Sequence, residues 1–332
     1  MAARRKVIID QDTLGPATSN LQAVALLVQS ADTEVLGVCV PTGDHWRDQQ
    51  VRHALRFLEI IGRADIPVVP GAQMPLVATP AATARWEKRH GKLVYNGAWD
   101  LARPGKWADP RETRDLPEGN PAAAPSAERA ASFYVRLARA HPGEISLWAA
   151  GPLTNLALAC RLDPEFPTLV RELHFMGGSF QPRTQAREFA HTPRREFNVR
   201  FDAEAARIVF RAPWPRVTCS PIDVSQEVRS TPALFTAIAR AGTPLARYLD
   251  QFGQRGRPMW DEVAAATWLD ESLVTRHDDL FIDVNLDRGA GYGDMVCWAP
   301  GAEPGLGEAR ARVQRQIDEA RFKELFRQLC SR

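Results

Sequence analysis

The sequence has no apolar run approaching the ~20 residues that a membrane-spanning helix needs. Its first apolar stretch, Val7–Ile9, is too short for a signal peptide. Cysteine is sparse and scattered: Cys39, Cys160, Cys219, Cys297 and Cys330, 5 in all, with no Cys-x-x-Cys spacing. That argues against a disulfide framework and a zinc cage, and it makes a reducing cytoplasm the expected compartment. Cys39, Cys160 and Cys219 lie in apolar runs and read as small buried hydrophobes. Neither sign of charge dominates, with 42 basic against 40 acidic side chains, so no basic face for nucleic acid is expected. No Gly-x-Gly-x-x-Gly follows the first apolar run, which disfavours a dinucleotide fold motif. Internal repeats, low-complexity tracts and a dividing linker are also missing, so residues 1–332 read as one domain.

What is present is ordinary globular usage, 45% hydrophobic and 25% charged, over a length that can bury a large core. Short β-rich runs alternate with helical periodicity. Strands are expected at Val7–Ile9, Val35–Val40, Ile66–Val69, Ile145–Ala150, Leu173–Met176, Val217–Val224 and Phe281–Leu286. Helices are expected from Thr18 or Ser19, then at Trp46–Ile61, Ser126–Ala140, Thr154–Leu162, Ala203–Phe210, one or two within Thr231–Phe252, Asp261–Leu269 and Glu319–Leu329. This alternation predicts an α/β fold: an open, mostly parallel (mixed) sheet with a Rossmann-like core and helices on both faces. Val77–Pro125 breaks the pattern. It is rich in proline, alanine and charge, carries Trp86, Trp99 and Trp107, and reads equally as a lid over a site or a surface excursion.

Polar residues gather at the strand ends. Asp10 and Asp12 follow the first, Asp44 the second, Ala150-Gly151 the fourth and Met176-Gly177-Gly178 the fifth. Parallel strands put such ends on one edge, where ligands of open α/β sheets sit. Oxygen donors of this kind suit calcium or magnesium. Taken singly, each has a plain reading: one of two neighbouring acids can cap a helix, and Asp44 after Gly43 can be a turn residue.

The ordered set VIIDQD (Val7–Asp12), VLGVCVPTGD (Val35–Asp44), IPVVPGA (Ile66–Ala72), AAGPLTNLALA (Ala149–Ala159), FMGGSF (Phe175–Phe180) and EFNVRFDAEAA (Glu196–Ala206) resembles the inosine-uridine preferring nucleoside hydrolases over nearly the whole chain. The resemblance implies hydrolysis of the N-glycosidic bond of a ribonucleoside, with calcium bound at the carboxyl ends of the sheet. It implies that Asp12 binds calcium and takes a proton from water, with Asp10 in support. Calcium would also be held by the Ala150 carbonyl and by Asp261. Glu196 and Asn198 would hold ribose hydroxyls, with Asp44 near sugar and base, His90 near the ribose 5′ end, and Met176 at a ligand-facing strand end. A nucleoside is the implied partner, with no nucleic acid or membrane, in a homodimer or homotetramer.

Two departures stand out. The family pattern Asp-x-Asp-Pro-Gly-x-Asp-Asp keeps its first half, but the second acid pair is absent, and Asn20 and Gln22 are the nearest substitutes. Fewer charged ligands predict weakened or lost calcium binding, and with it an alternative: a non-catalytic homologue that binds nucleoside or ribose. Trp260 stands where some relatives place a histidine acid; an indole can stack on a base but cannot protonate it as imidazolium does. Trp46 or a tryptophan of 77–125 could supply the other face. A third reading, a haloacid-dehalogenase-like phosphatase with Asp10 as nucleophile and Asp12 as acid, suffers from a loop one residue short. It also lacks a second acid beside Gly293-Asp294.

Overall fold

The computed structural model describes residues 4–181 and 195–332. Nine strands form one sheet: β1 (Arg5–Asp10), β2 (Thr33–Val40), β3 (Val68–Pro70), β4 (Ile145–Ala149), β5 (Glu172–Met176), β6 (Val217–Ser220), β7 (Val274–Val284), β8 (Met295–Trp298) and β9 (Ala309–Ile317). Their order is β3-β2-β1-β4-β5-β6-β9-β7-β8. Pairing is parallel from β3 through to β9, and antiparallel where β7 joins β9 and β8. From β1 the chain builds outward to β2 and β3 on one side and to β4, β5 and β6 on the other. That reversal creates a crevice at the carboxyl ends of β1 and β4.

Period-two alternation sorts β1. Val7 and Ile9 enter the core beneath α1 (Ser19–Gln29) and α2 (Arg47–Ile60), while Ile8 faces the opposite core with residues of α4 (Ala130–Ala140) and α5 (Thr154–Leu162). Helices thus cover both faces. α1 is buried from Asn20 to Val28, packed against the sheet, the helix Trp260–Leu269 and the terminal helix Glu319–Cys330. Its two buried amides, Asn20 and Gln22, fall in the first turn, at the carboxyl edge of the sheet.

Several boundaries differ from expectation. The strand expected at Val217–Val224 stops at Ser220, because Pro221 cannot continue the ladder and Ile222–Ser225 turns helical. The helix expected from Ser126 begins at Ala130. Thr231–Phe252 is two helices, Pro232–Ala239 and Pro244–Phe252, each capped by a threonine hydroxyl, with Gly242 at φ 64° between them. The segment Val77–Pro125 is not structureless. Thr79 caps α3 (Pro80–His90), a Thr-Pro start signal that the compositional bias of the segment masks. The antiparallel end was not foreseen beyond Phe281–Leu286. β7 begins at Val274, and its charged half pairs with β9 through Asp278–Arg315 and Asp279–Arg310. β9 escapes sequence reading because arginines and glutamines dilute its apolar alternation, and β8 because a four-residue run, Met295–Trp298, is too short to show a period. Part of the loop expected between Gly178 and Glu196, residues 182–194, lies outside the described residues.

Candidate active site

A cavity of about 480 Å³ opens at the crevice between β1 and β4. That volume lies within the range of small-molecule sites. Asp12 forms its floor. Asp12 is 1% exposed, and both carboxylate oxygens accept hydrogen bonds: Oδ2 from the Asp44 backbone N–H at 2.7 Å, Oδ1 from Asn20 Nδ2 at 3.1 Å. The approach depends on Gly43, where a Cβ would stand 2.1 Å from Asp12 Oδ2. Asn20 Nδ2 also reaches Asp44 Oδ2 at 3.3 Å, and the Tyr95 hydroxyl donates to Asp44 Oδ1 at 2.7 Å.

The opposite wall comes from the start of the helix Trp260–Leu269. Asp261 Oδ2 accepts from Gln11 Nε2 at 2.9 Å, and the Asp261 N–H donates to Ser19 Oγ at 3.2 Å. Asp261 is not the cap of its helix, a place held by Met259; its acid in the first turn still benefits from the helix dipole. Trp260 lines the cavity and donates its indole N–H to Gln226 Oε1 at 2.7 Å.

The third side is built by Glu196, which caps the helical turn Phe197–Phe201. Its Oε1 accepts from the Asn198 N–H at 2.9 Å, and its Oε2 from the N–H groups of Gly178 at 2.8 Å and Val199 at 3.1 Å. Asn198 Nδ2 donates to the Met176 carbonyl at 3.2 Å. Met176, Glu196, Asn198 and Ala150 all line the cavity with Asp12, Asn20, Asp44, Trp260 and Asp261.

Two expected site residues are placed elsewhere. Asp10 follows Ile9 and therefore points to the face of Ile8, below the cavity. It accepts there from the Tyr134 hydroxyl and from Asn155 Nδ2 at 2.8 Å. This position also removes it as a phosphatase nucleophile. Burial pushes its carboxyl up to about 7, against the hydrogen bonds of Tyr134 and Asn155. His90 ends α3 with its ring 5.2 Å from Trp86, off the cavity wall. Gln22 lines the cavity but turns its amide N–H back to the Ala17 carbonyl at 2.8 Å. The tryptophans Trp46, Trp86, Trp99 and Trp107 do not line the cavity: Trp46 bonds the Trp107 carbonyl, Trp86 bonds Gly289, and Trp99 packs on Phe201.

The Asp10 environment makes a stability test. A raised carboxyl is neutral in the fold below about pH 7, so its contribution to stability is full below the unfolded carboxylate range and fades as pH rises toward about 7. Above that, the buried charge depends on its donors. Tyr134→Phe is therefore expected to cost about 1–3 kcal/mol at pH ~8 and clearly less at pH ~5.5, read by denaturant melts.

Sequence reasoning missed Lys106, Tyr95, Arg103, Arg257 and Glu262, all of which line the cavity. Lys106 Nζ donates to the Asp44 carbonyl, and burial lowers its pKa. No local pattern marks these residues, because three of the five lie in the irregular segment 77–125.

Residues 7–324 match the family described as inosine-uridine preferring nucleoside hydrolase. The chain belongs to the nucleoside hydrolase family. It is 32% identical over 246 residues to a probable uridine nucleosidase of Arabidopsis thaliana, covering 74% of this chain and 68% of that one. It is 24% identical over 306 residues to a pyrimidine-specific ribonucleoside hydrolase of Escherichia coli, covering 89% and 87%. Among solved structures, an inosine-guanosine nucleoside hydrolase superposes with a TM-score of 0.78 at 20% identity over 98% of each chain, which establishes the fold. Hydrolysis of an N-glycosidic bond is the reaction this nucleoside hydrolase membership supports.

The family uses a metal ion, and the donors of this nucleoside hydrolase fit a hard cation in kind. Among the described residues no three Asp, Glu, His or Cys side chains form a ready-made cage. The groups that converge are nevertheless carboxylates and a carbonyl, the donor class that calcium takes, while Asn20 turns its Nδ2 toward Asp12 and Asp44 and its Oδ1 to the Thr18 hydroxyl. Their charges oppose one another. Asp12 is pushed well above the ordinary carboxylate range by burial first and then by Asp44 and Asp261. Burial pushes Asp261 up to about 8, with Gln11 opposing and the charges of Asp44 and Glu196 adding. Buried acids in mutual repulsion are relieved either by protons or by a cation.

Proposed function

We propose that this chain hydrolyses a ribonucleoside, or a related N-ribosyl compound, to ribose and free base, with Asp12 as the base that activates water. One observation carries the reading: Asp12 and Asp261, far apart in sequence, face one cavity that also holds Glu196, Asn198 and an aromatic wall. Asp12, Asp261 and the Ala150 carbonyl would hold calcium, joined by Asn20 once its amide turns its oxygen inward, and calcium when bound would orient and acidify the attacking water.

The chain's own groups account for the rest. Asp12, its two oxygens fixed by Asn20 and Asp44, is oriented to take the water proton. The negative field of Asp12 and Asp44 favours the oxocarbenium-like sugar of the transition state. Glu196 and Asn198, locked by backbone contacts, are placed to accept and donate to sugar hydroxyls without reorganising. Trp260, its indole N–H tied to Gln226, offers a face on which a base can stack.

The test is reducing-sugar release over a panel of purine and pyrimidine nucleosides with calcium present. Release from any of them supports the reading. Tight nucleoside binding with no release from the panel would establish the binding-only alternative instead. Trp260→Ala is expected to lower kcat/KM by about 2- to 10-fold, mainly through KM, since one aromatic stack contributes about 0.5–1.5 kcal/mol.

A further inference from the structure

The loop before α1 lacks the acid pair of the family pattern, and α1 carries no acid in its first turn. In the fold, each of the two neutral residues that open α1 is hydrogen-bonded to an acid brought from elsewhere. Asn20 contacts Asp44, 24 positions away, at 3.3 Å. Ser19 donates its hydroxyl to Glu262 Oε2, 243 positions away, at 2.5 Å. We propose that Glu262, docked on Ser19, supplies to the cation site a negative charge that the loop before α1 no longer carries. This inference rests on the calcium site of the proposed function.

Three observations support it. Glu262 is only 2% exposed, yet it lines the cavity beside Asp261. Among the described residues its carboxylate accepts from the Ser19 hydroxyl and is ion-paired to no basic side chain. A buried carboxylate with a hydroxyl and another acid for neighbours is unfavourable in its ionised form unless a cation shares its field, and a bound cation would hold it ionised. Its carboxylate also touches Ser19, and Ser19 in turn accepts from the backbone of Asp261. A carboxylate placed at position 19 would therefore stand in the same part of the wall. The charge has moved from the loop to the helix Trp260–Leu269, while the site that receives it is the same.

The experiment is calcium titration by calorimetry on chelator-treated full chain, with thermal melts in chelator to confirm folding. Glu262→Gln is expected to weaken calcium binding about tenfold or more, since affinity follows ligand charge. Adding Ser19→Asp to Glu262→Gln is expected to restore binding to within about threefold of the unaltered chain. Ser19→Ala, which removes the hydroxyl but keeps the acid, is expected to leave affinity within about threefold. The inference is overturned if Glu262→Gln binds as the unaltered chain does, or if the charge-swapped double variant is no tighter than Glu262→Gln. It is equally overturned if Ser19→Ala weakens binding as much as Glu262→Gln, because the hydrogen bond would then be the whole effect. An unaltered chain that takes no calcium sinks this inference and the calcium part of the proposed function together; a Glu262→Gln result equal to the unaltered chain sinks this inference alone.

Discussion

Asp12→Asn is expected to lower kcat/KM for ribose release by about a thousandfold or more, with the fold intact. The substitution keeps the shape of the group, so the Asp44 N–H still finds an oxygen, and Asn20 can turn its amide to face the new one. What is lost is a basic oxygen at the cavity floor and one negative charge facing the sugar. Circular dichroism and the melting temperature should therefore stay near those of the unaltered chain. Neither is expected to fall, because burial and the charges of Asp44 and Asp261 already disfavour the ionised form of Asp12. Undiminished ribose release from Asp12→Asn would remove Asp12 from the chemistry and leave the cavity without its proposed base.

Stripping divalent ions is expected to abolish ribose release, and returning calcium to restore it. Calcium at about 100 times its dissociation constant should add roughly 2.7 kcal/mol of stability, seen as a higher melting temperature. The effect carries a pH signature. Asp261 sits at about 8 in the metal-free fold and Asp12 is raised as well, so calcium must displace protons to bind. Affinity should climb between about pH 6 and about pH 8, and the calorimetric heat should depend on the ionisation enthalpy of the buffer. The sign follows from linkage. Between the unfolded carboxylate range and about 8, the metal-free fold holds protons that the unfolded chain has lost, so its stability falls as pH rises through that window. The stabilisation by calcium should therefore grow over the same interval. Activity that survives chelation, or a calcium increment indifferent to pH, would count against the site.

Much of the architecture was legible. Apolar runs at Val7–Ile9, Val35–Val40, Ile145–Ala150 and Leu173–Met176 are central strands of the observed sheet, because strands buried on both faces read as unbroken apolar stretches. The antiparallel end was less legible. β9 reads ARARVQRQI, and its arginines and glutamines dilute the apolar alternation that a half-buried strand shows. At the site, Asp12, Asn20, Asp44, Ala150, Met176, Glu196, Asn198, Trp260 and Asp261 were named from sequence and are brought to one cavity. Asp10 was misplaced, although the parity of β1 held the signal: one step past Ile9 is the face of Ile8. His90 followed a motif whose local conformation in this chain is the end of a helix turned toward Trp86.

The sequence alone determined the alternation of strands and helices, the strand ends at which polar residues collect, and the family to which those motifs point. Each is a property of a few adjacent residues: side-chain periodicity, turn chemistry and caps act over one or two turns of chain. Only the tertiary structure decided which acids share a cavity. Glu262 meets Ser19, and Lys106 meets Asp44, because strand order and helix packing bring their segments together, and no spacing along the chain encodes those encounters. The charge of a buried site is a sum over space, so an acid missing from one loop can be supplied by a helix more than two hundred residues away.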